Sequence, residues 1–161
     1  ILFRQNRLLK KFSEEAHDIE TRLGDKKRAI LEEPETRNAQ QHSKLTLTSD
    51  YQDERISLWP HELYLVESAS NYIKVYHLQN EKLVYTIMRS TITKTEEALN
   101  PYINYFKCHR GFIINLDKVE HVEGNAQGYK VKIENHNTLI PVSRNMNTEF
   151  SDKLLAVQQN R

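Results

Sequence analysis

The sequence is poor in cysteine, glycine and long apolar runs, and each shortage argues against a class of function. The single cysteine, Cys108, cannot form an internal disulfide and is typical of a reducing compartment such as the cytoplasm. The 4 glycines are too few and too scattered for a loop that cradles nucleotide phosphates. No apolar run is long enough to cross a membrane. Since the net charge is only +1, any nucleic-acid surface must come from local clusters of lysine and arginine.

Catalytic and metal chemistry find little support in the sequence. Cys108 and His109 are neighbours on a predicted strand, so their side chains point to opposite faces and cannot readily pair as nucleophile and base. Ser143 is interpreted as a helix N-cap. The histidines lack the paired spacing of a zinc site, and one thiol cannot complete the usual ligand set. We therefore predict a protein that is not an enzyme and that binds no metal, cofactor or small-molecule substrate.

Residues 1–33 are predicted to form a helix with one apolar seam. Gln5 and Lys26 interrupt the seam, and Gly24 weakens its middle. Because the other faces are charged, the seam needs a partner, either in a parallel homodimeric coiled coil or in the domain of the same chain, as the short length also allows. The seam residues follow a 3,4 spacing and are Leu2, Leu9, Phe12, Ala16, Ile19, Leu23 and Ile30.

The first residues combine an apolar stub with basic flanking positions. Residues 1–3 (ILF) precede Arg4, Arg7, Lys10 and Lys11, as expected for the cytoplasmic flank of a transmembrane helix. The alternative is an arbitrary boundary within a solvated helix. On the first interpretation the chain is the cytoplasmic part of a membrane-anchored protein, with its tether upstream.

A linker and a single β-rich domain are predicted after this helix. Pro34 stops the helix, and residues 34–43 lack both periodicity and bulk, which leaves 44–158 as one domain. There the apolar period becomes two, which indicates strands. Strands are expected near residues 45–48, 63–67, 72–77, 83–87, 111–115, 119–122, 129–134 and 138–142, the last two forming a hairpin that turns at 135–137.

Two short helices are predicted to interrupt the strands. Residues 93–99 begin with Thr93 and Glu96 at the spacing of a capping box. A second helix follows Ser143 and carries an apolar stripe. Its stripe consists of Met146, Phe150 and Leu154. The predicted fold class is therefore mainly β with two short helices, preceded by an N-terminal α-helix.

Three polar clusters stand where predicted strands end or a helix begins, namely residues 68–72 with Lys74, residues 107–110 and residues 143–145. Bidentate contact with guanine is possible for Arg110 and Arg144, and Asn71 or Tyr72 could reach an adenine or a backbone oxygen. The residues expected to contact the DNA backbone are Lys74, Arg89, Ser90, Lys94, Lys107, His109, Ser143 and Asn145.

Together these motifs resemble the LytTR DNA-binding domains of bacterial response regulators and related transcription factors. The resemblance covers about residues 44–157, with its motifs in the family's order. The matching stretches are 65–68 (LVES) followed by 71–75 (NYIKV), the helix region 89–99, the central motif 108–115 (CHRGFIIN) and the terminal motif 140–144 (IPVSR).

The resemblance implies small packed antiparallel sheets that lay loops into successive major grooves, without a helix-turn-helix. The family's base-contacting positions fall on Asn71 or Tyr72, on Arg110 and on Arg144. Gly111 stands where the family commonly has serine. The histidine of the central motif is either structural or a phosphate contact. The phosphoacceptor receiver domain usual in two-component response regulators finds no counterpart in this sequence.

We therefore expect a bacterial, cytoplasmic transcriptional regulator that binds double-stranded DNA sequence-specifically. A homodimer formed through the N-terminal helix would let two β domains engage two half-sites. The rival interpretation is a β module that binds protein, or only dimerises, without binding DNA.

Overall fold

The computed structural model describes residues 42–51, 53–125 and 127–160 of the chain. The helix predicted at 1–33, with its coiled-coil and juxtamembrane interpretations, lies outside the described residues, as does most of the predicted linker. No helix in the described ranges is long and apolar enough to span a membrane.

The described residues form three antiparallel sheets, which agrees with the predicted fold class. The first is a hairpin of β1 and β2, and the second has the strand order β5-β4-β3-β7-β6. The third has the order β10-β9-β8. The strands are β1 (Leu45–Thr48), β2 (Arg55–Leu58), β3 (Leu63–Ala69), β4 (Tyr72–Gln79), β5 (Lys82–Met88), β6 (Tyr105–His109), β7 (Phe112–Asn115), β8 (Val119–Asn125), β9 (Gly128–Ile133) and β10 (Ile140–Pro141).

The centre of the five-stranded sheet is covered on both faces, and residues 63–66 of β3 and 113–114 of β7 are accordingly apolar and buried. Leu65 pairs with Ile114, and Ile114 pairs with Phe106, so these three side chains form a row on one face. On this face the ring centroids of Phe106 and Phe150 are 6.1 Å apart. Val66 and its neighbours on the opposite face pack in a separate core. That core consists of Leu45, Leu47, Leu58, Leu63, Val66, Ile73, Val75, Met88, Ile92, Leu99, Tyr105 and Ile113.

Both predicted helices are present, but the first begins earlier than the predicted capping box. Helix α1 spans Ile92–Leu99, and the Thr91 Oγ1 accepts the Lys94 N–H at 3.2 Å. The capping box at Thr93 and Glu96 is therefore wrong. A threonine directly before the first buried residue, Ile92, satisfies the first-turn donor instead.

Helix α2 spans Asn147–Gln159 and buries Phe150, Leu154 and Val157 on one stripe. A short 3-10 turn, Arg144–Met146, precedes it, so Met146 lies outside the helix. Ser143 is the N-cap residue of this 3-10 turn, not of α2 as predicted, and its side chain makes no capping hydrogen bond. The 3-10 turn separates Ser143 from the first turn of the α-helix.

Candidate nucleic-acid interface

The first two polar clusters meet at one end of the five-stranded sheet. Strand β3 pairs with β4 on one side and with β7 on the other, so the β3–β4 turn and the β6–β7 turn emerge side by side. The Ser68 N–H donates to the Gly111 carbonyl at 2.9 Å and joins the two turns directly. We refer to this end of the sheet as the turn end.

The third cluster joins the turn end through β6. The Ser143 N–H donates to the Cys108 carbonyl at 2.8 Å, and the Cys108 Sγ lies 3.6 Å from the Pro141 carbonyl oxygen. These contacts bring Arg144, which follows Ser143 directly, to the neighbourhood of Arg110 two residues beyond Cys108. Segments far apart in sequence thus converge, as the DNA-binding interpretation requires.

The β3–β4 turn presents its polar residues to solvent. Ala69 pairs with Tyr72, so Ser70 and Asn71 form a two-residue turn, and Ser70 adopts a positive φ of 57°. Serine tolerates this conformation less readily than glycine does. Asn71 is exposed and Tyr72 is 45% exposed, so both residues predicted to contact bases are accessible.

The β6–β7 turn is held by a histidine of the central motif. His109 pairs with Phe112 across a two-residue turn made by Arg110 and Gly111. The Gly111 N–H donates to the His109 Nδ1 at 3.1 Å, so the proton of the neutral ring lies on Nε2. The imidazole also lies 5.9 Å from the Phe112 ring. His109 therefore has a structural role, and its Nε2–H remains available as a donor.

The backbone conformation at Gly111 does not require glycine. A Cβ built there would meet the His109 Nδ1 at 3.6 Å and the Ser68 Cβ at 4.0 Å, which are ordinary van der Waals distances. The serine common in the related domains would therefore fit at this turn.

The predicted cations at the turn end divide into two groups. Arg110 and Arg144 are exposed, and within the described ranges neither takes part in a salt bridge. The lysines, by contrast, have acidic neighbours. Their Nζ to carboxylate oxygen distances are 3.8 Å for Lys74 and Glu67, 2.7 Å for Lys94 and Asp50, and 2.8 Å for Lys107 and Glu96.

These lysine pairs are weak enough for a phosphate to replace the carboxylate. The side chains of Lys107 and Glu96 are 29% and 47% exposed, and those of Lys94 and Asp50 are 40% and 46% exposed. Exposed ion pairs of this kind typically contribute about 0–1 kcal/mol. A phosphate would therefore have to displace a carboxylate from each of these lysines. Within the described ranges it would have no carboxylate to displace from Arg110 or Arg144.

The remaining predicted backbone contacts differ in accessibility. Ser90 is only 3% exposed, which contradicts its prediction as a phosphate contact. The segment between β5 and α1 alternates, with Arg89 and Thr91 outward and Ser90 inward. Asn145 is exposed and Ser143 is only partly buried, so both stay predicted contacts to the DNA backbone.

Sequence reasoning missed Tyr51 at this end. The Asp50 N–H donates to the Arg89 carbonyl at 2.8 Å, which brings the β1–β2 loop to the end of β5. Tyr51 is 59% exposed, and its ring centroid lies 5.9 Å from the guanidinium carbon of Arg89. In the sequence Tyr51 stands among the acidic residues Asp50, Asp53 and Glu54, and this stretch gave no indication that its ring lies beside the Arg89 guanidinium.

The thiol at the base of the turn end is chemically quiet. Cys108 is fully buried, and burial raises the pKa of its thiol to about 12. It therefore stays protonated at neutral pH and behaves as a small apolar side chain, as predicted. Among the described residues no group of histidine, cysteine and carboxylate side chains is arranged to hold a metal ion.

The described residues thus form a mainly β domain in which exposed polar and cationic side chains converge at the turn end. Residues 53–155 match the sequence model of the LytTr DNA-binding domain. Because this match covers more than half of the chain, the chain belongs to the LytTr DNA-binding domain family.

Relatives of this chain agree with that assignment. It is 30% identical over 100 residues to the transcriptional regulatory protein YpdB of Escherichia coli K12, covering 61% of this chain and 39% of that protein. It is 30% identical over 95 residues to the sensory transduction protein LytT of Enterococcus faecalis, covering 59% and 37% respectively. The matched part of the chain thus spans about two fifths of the length of these relatives.

A solved structure shows the same fold. The LytTr DNA-binding domain of a response regulator from Bacillus cereus superposes with a TM-score of 0.54, at 18% identity, over 70% of this chain and 98% of that domain. At this identity the likeness concerns the fold alone.

Proposed function

We propose that this domain binds duplex DNA sequence-specifically and is the DNA-binding part of a transcriptional regulator. The observation that carries the proposal is the convergence of three turns at the turn end, joined by the Ser68 to Gly111 and Ser143 to Cys108 hydrogen bonds. The turn end presents exposed hydrogen-bond donors from several loops on a rigid sheet, and such an arrangement suits recognition of base edges in a groove. The domain acts by binding and not by catalysis.

The arginines are proposed to read bases. Arg110 and Arg144 are exposed and engage no carboxylate in the described ranges, so each guanidinium fork is free for bidentate contact with a guanine. Asn71 or Tyr72, on the adjacent turn, takes the third base-reading position. Each good bidentate pair contributes about 1–3 kcal/mol of discrimination between bases.

The other polar side chains are proposed to position the backbone of the DNA. The Nε2–H of His109 is a donor in a fixed orientation, because Nδ1 is occupied by the Gly111 N–H. The ammonium groups reach phosphates by leaving their carboxylate neighbours, which makes binding salt-dependent. The set comprises Lys74, Arg89, Lys94, Lys107, His109, Ser143 and Asn145.

A cytoplasmic regulator that dimerises through its N-terminal helix remains part of the proposal. The names of the relatives, a transcriptional regulatory protein and a sensory transduction protein, support a regulatory role. Two tethered domains would gain about two to four orders of magnitude in avidity if the linker spans the distance between half-sites. A membrane tether upstream is a further expectation of this proposal.

Selection of bound duplexes from a random pool tests the proposal. We expect a short consensus with at least one essential G·C pair, and binding to the selected duplex that weakens as salt is raised. A β module that binds only protein would enrich no sequence. Enrichment that survives Arg110→Ala together with Arg144→Ala would contradict the assigned roles.

A further inference from the structure

Strand β5 forms an open edge of the five-stranded sheet. Among the described residues it pairs only with β4, and their register runs without a bulge from Ile73 and Met88 to Gln79 and Lys82. Natural edge strands are usually blunted by bulges, prolines or inward charges. Apart from Lys82 at its first position, β5 carries no charge, proline or bulge, so its free edge can accept another strand.

The geometry of the β4–β5 turn decides which backbone groups face outward. Asn80 and Glu81 have positive φ values of 49° and 63°, the conformation of a two-residue turn that closes with a hydrogen-bonded pair. Hydrogen-bonded and open positions then alternate, so Leu83, Tyr85 and Ile87 direct their N–H and C=O groups away from β4. Within the described ranges no backbone partner contacts these groups.

The residue that follows in this alternating series supports the assignment. The carbonyl oxygen of Arg89 points away from β4 and accepts the Asp50 N–H at 2.8 Å. The β1–β2 loop therefore satisfies the outward groups only at the end of the strand. Within the described ranges this loop makes no backbone hydrogen bond to Leu83, Tyr85 or Ile87.

The side chains of the same residues form an apolar strip. Tyr85 and Ile87 are 53% and 52% exposed, and Leu83 lies on the same face because it shares their parity. From Leu83 to Met88 the strand carries no charge. An uncharged strip with unpaired backbone groups is a template for strand addition.

We propose that β5 is an interaction surface for a second copy of this chain, paired antiparallel about Tyr85. In that register Tyr85 faces its own counterpart, and Leu83 faces Ile87 of the second copy. Since all three residues are outward-facing, every outward N–H meets an outward C=O in a two-fold arrangement. Lys82 falls opposite Met88, so no like charges meet.

This self-complementarity favours a second copy over an unrelated strand. The outward positions are symmetric about Tyr85, so the same strip satisfies both partners, as an isologous interface requires. The facing side chains are aromatic with aromatic and aliphatic with aliphatic, which are favourable cross-strand pairs. One strand per copy is less than a standard interface, so we expect association at micromolar or higher concentration.

The pairing has a consequence for DNA, which rests on the proposed function. Antiparallel strands reverse direction across the two-fold axis, so the turn ends of the two copies point to opposite ends of one continuous sheet. Such a dimer binds two separate duplex segments, and not adjacent half-sites of one straight duplex. It is thus a bridging form, distinct from a dimer held by a parallel N-terminal helix.

Cysteine cross-linking of the full chain tests the pairing without DNA. In the proposed register the Tyr85 Cα atoms are about 5.5 Å apart, within the range that a disulfide spans. We expect Tyr85→Cys to form covalent dimers about tenfold faster than Thr86→Cys, whose counterpart is displaced by about 7 Å along the strand. The native Cys108 does not interfere, because it is fully buried.

Equal cross-linking rates for the two variants would overturn the proposal. Slow cross-linking of both would overturn it as well, and is the result expected if the N-terminal segment pairs with β5. A second measurement is sedimentation of the unmodified full chain over a range of concentrations. Ile87→Lys is expected to abolish concentration-dependent association while leaving the melting temperature and the binding of a single duplex unchanged. Association that survives this substitution would equally exclude β5.

The bridging consequence is tested separately. The Tyr85→Cys covalent dimer is expected to capture two differently labelled duplexes at once. Cross-linking without capture would leave the interface standing and would contradict the proposed DNA-binding function of the turn end. Capture of a single duplex per dimer would exclude the opposed orientation and with it the proposed register.

Discussion

The two ends of the five-stranded sheet use polar side chains in opposite ways. At the turn end, Asn71, Arg110 and Arg144 are exposed, and neither arginine takes part in a salt bridge within the described ranges. At the far end, Asn115 is 1% exposed, and its Nδ2 donates to the Leu63 carbonyl at 2.8 Å. The turn end leaves its polar side chains accessible to a ligand, whereas the far end uses the Asn115 side chain in buried hydrogen bonds that stabilise the fold.

The central motif runs from one end to the other. Its residues His109 and Arg110 form the turn end, whereas its last residue, Asn115, is a buried hydrogen-bonding residue beside the start of β3. The Asn115 Oδ1 also accepts the Asp117 N–H at 3.0 Å. A single motif therefore mixes residues that bind with residues that fold, and substitutions should separate the two roles.

The largest expected effect is on stability and comes from the far end. Asn115→Ala removes the hydrogen bonds that the Asn115 side chain makes with the buried Leu63 carbonyl and the Asp117 N–H, so we expect a loss of about 2–3 kcal/mol in the free energy of unfolding. Urea denaturation measures it. Asn145→Ala at the exposed turn end is the matched control, with a change within about 0.5 kcal/mol. Similar losses for both variants would erase the contrast between the ends.

The sequence predicted the strands well because alternation is a local signal. Residues 72–77 and 129–134 correspond to Tyr72–Gln79 and Gly128–Ile133 in the structure. Strand β2, Arg55–Leu58, was missed because only Ile56 and Leu58 carry its pattern after an acidic stretch. The polar clusters were also recognised correctly as the ends of elements.

The contacts between the clusters could not be predicted, because they depend on strand register. The hydrogen bond from Ser68 to Gly111 exists only because β3 pairs with both β4 and β7. Likewise the pairing of Lys107 with Glu96 joins residues on β6 and α1, whose relative placement no local pattern encodes. The burial of Ser90 follows from the same tertiary packing.

The next largest effect is on base discrimination at the turn end. Arg110→Ala or Arg144→Ala removes an exposed guanidinium, and we expect each to lower the preference for the selected duplex over a random one by about 1–3 kcal/mol. Stability should stay within about 0.5 kcal/mol of the parent. Fluorescence anisotropy with both duplexes measures the preference. Losses of equal size on both duplexes would assign these arginines to phosphates instead.

A smaller effect is expected at His109, and two replacements separate its two nitrogens. Asparagine places an oxygen near the position of Nδ1, so His109→Asn keeps an acceptor for the Gly111 N–H but loses the outward donor. Glutamine reaches further and keeps a donor near Nε2. If the role is only structural, His109→Asn should bind DNA like the parent, whereas a phosphate contact predicts about 1 kcal/mol weaker binding on both duplexes.

The smallest effect concerns the lysines that already have partners, and here opposite substitutions should act in opposite directions. Lys107→Ala removes one phosphate contact, so affinity for both duplexes should fall and the salt slope should decrease by about one.

Glu96→Gln instead frees the Lys107 ammonium from a carboxylate 2.8 Å away, so affinity for both duplexes should rise. Lys82→Ala is the control, because Lys82 flanks the turn at the far end of the sheet. Binding isotherms at several salt concentrations measure all three variants. If Glu96→Gln weakened binding, the carboxylate would be positioning Lys107 for the phosphate, and the distinction between engaged lysines and unengaged arginines would fail at this site.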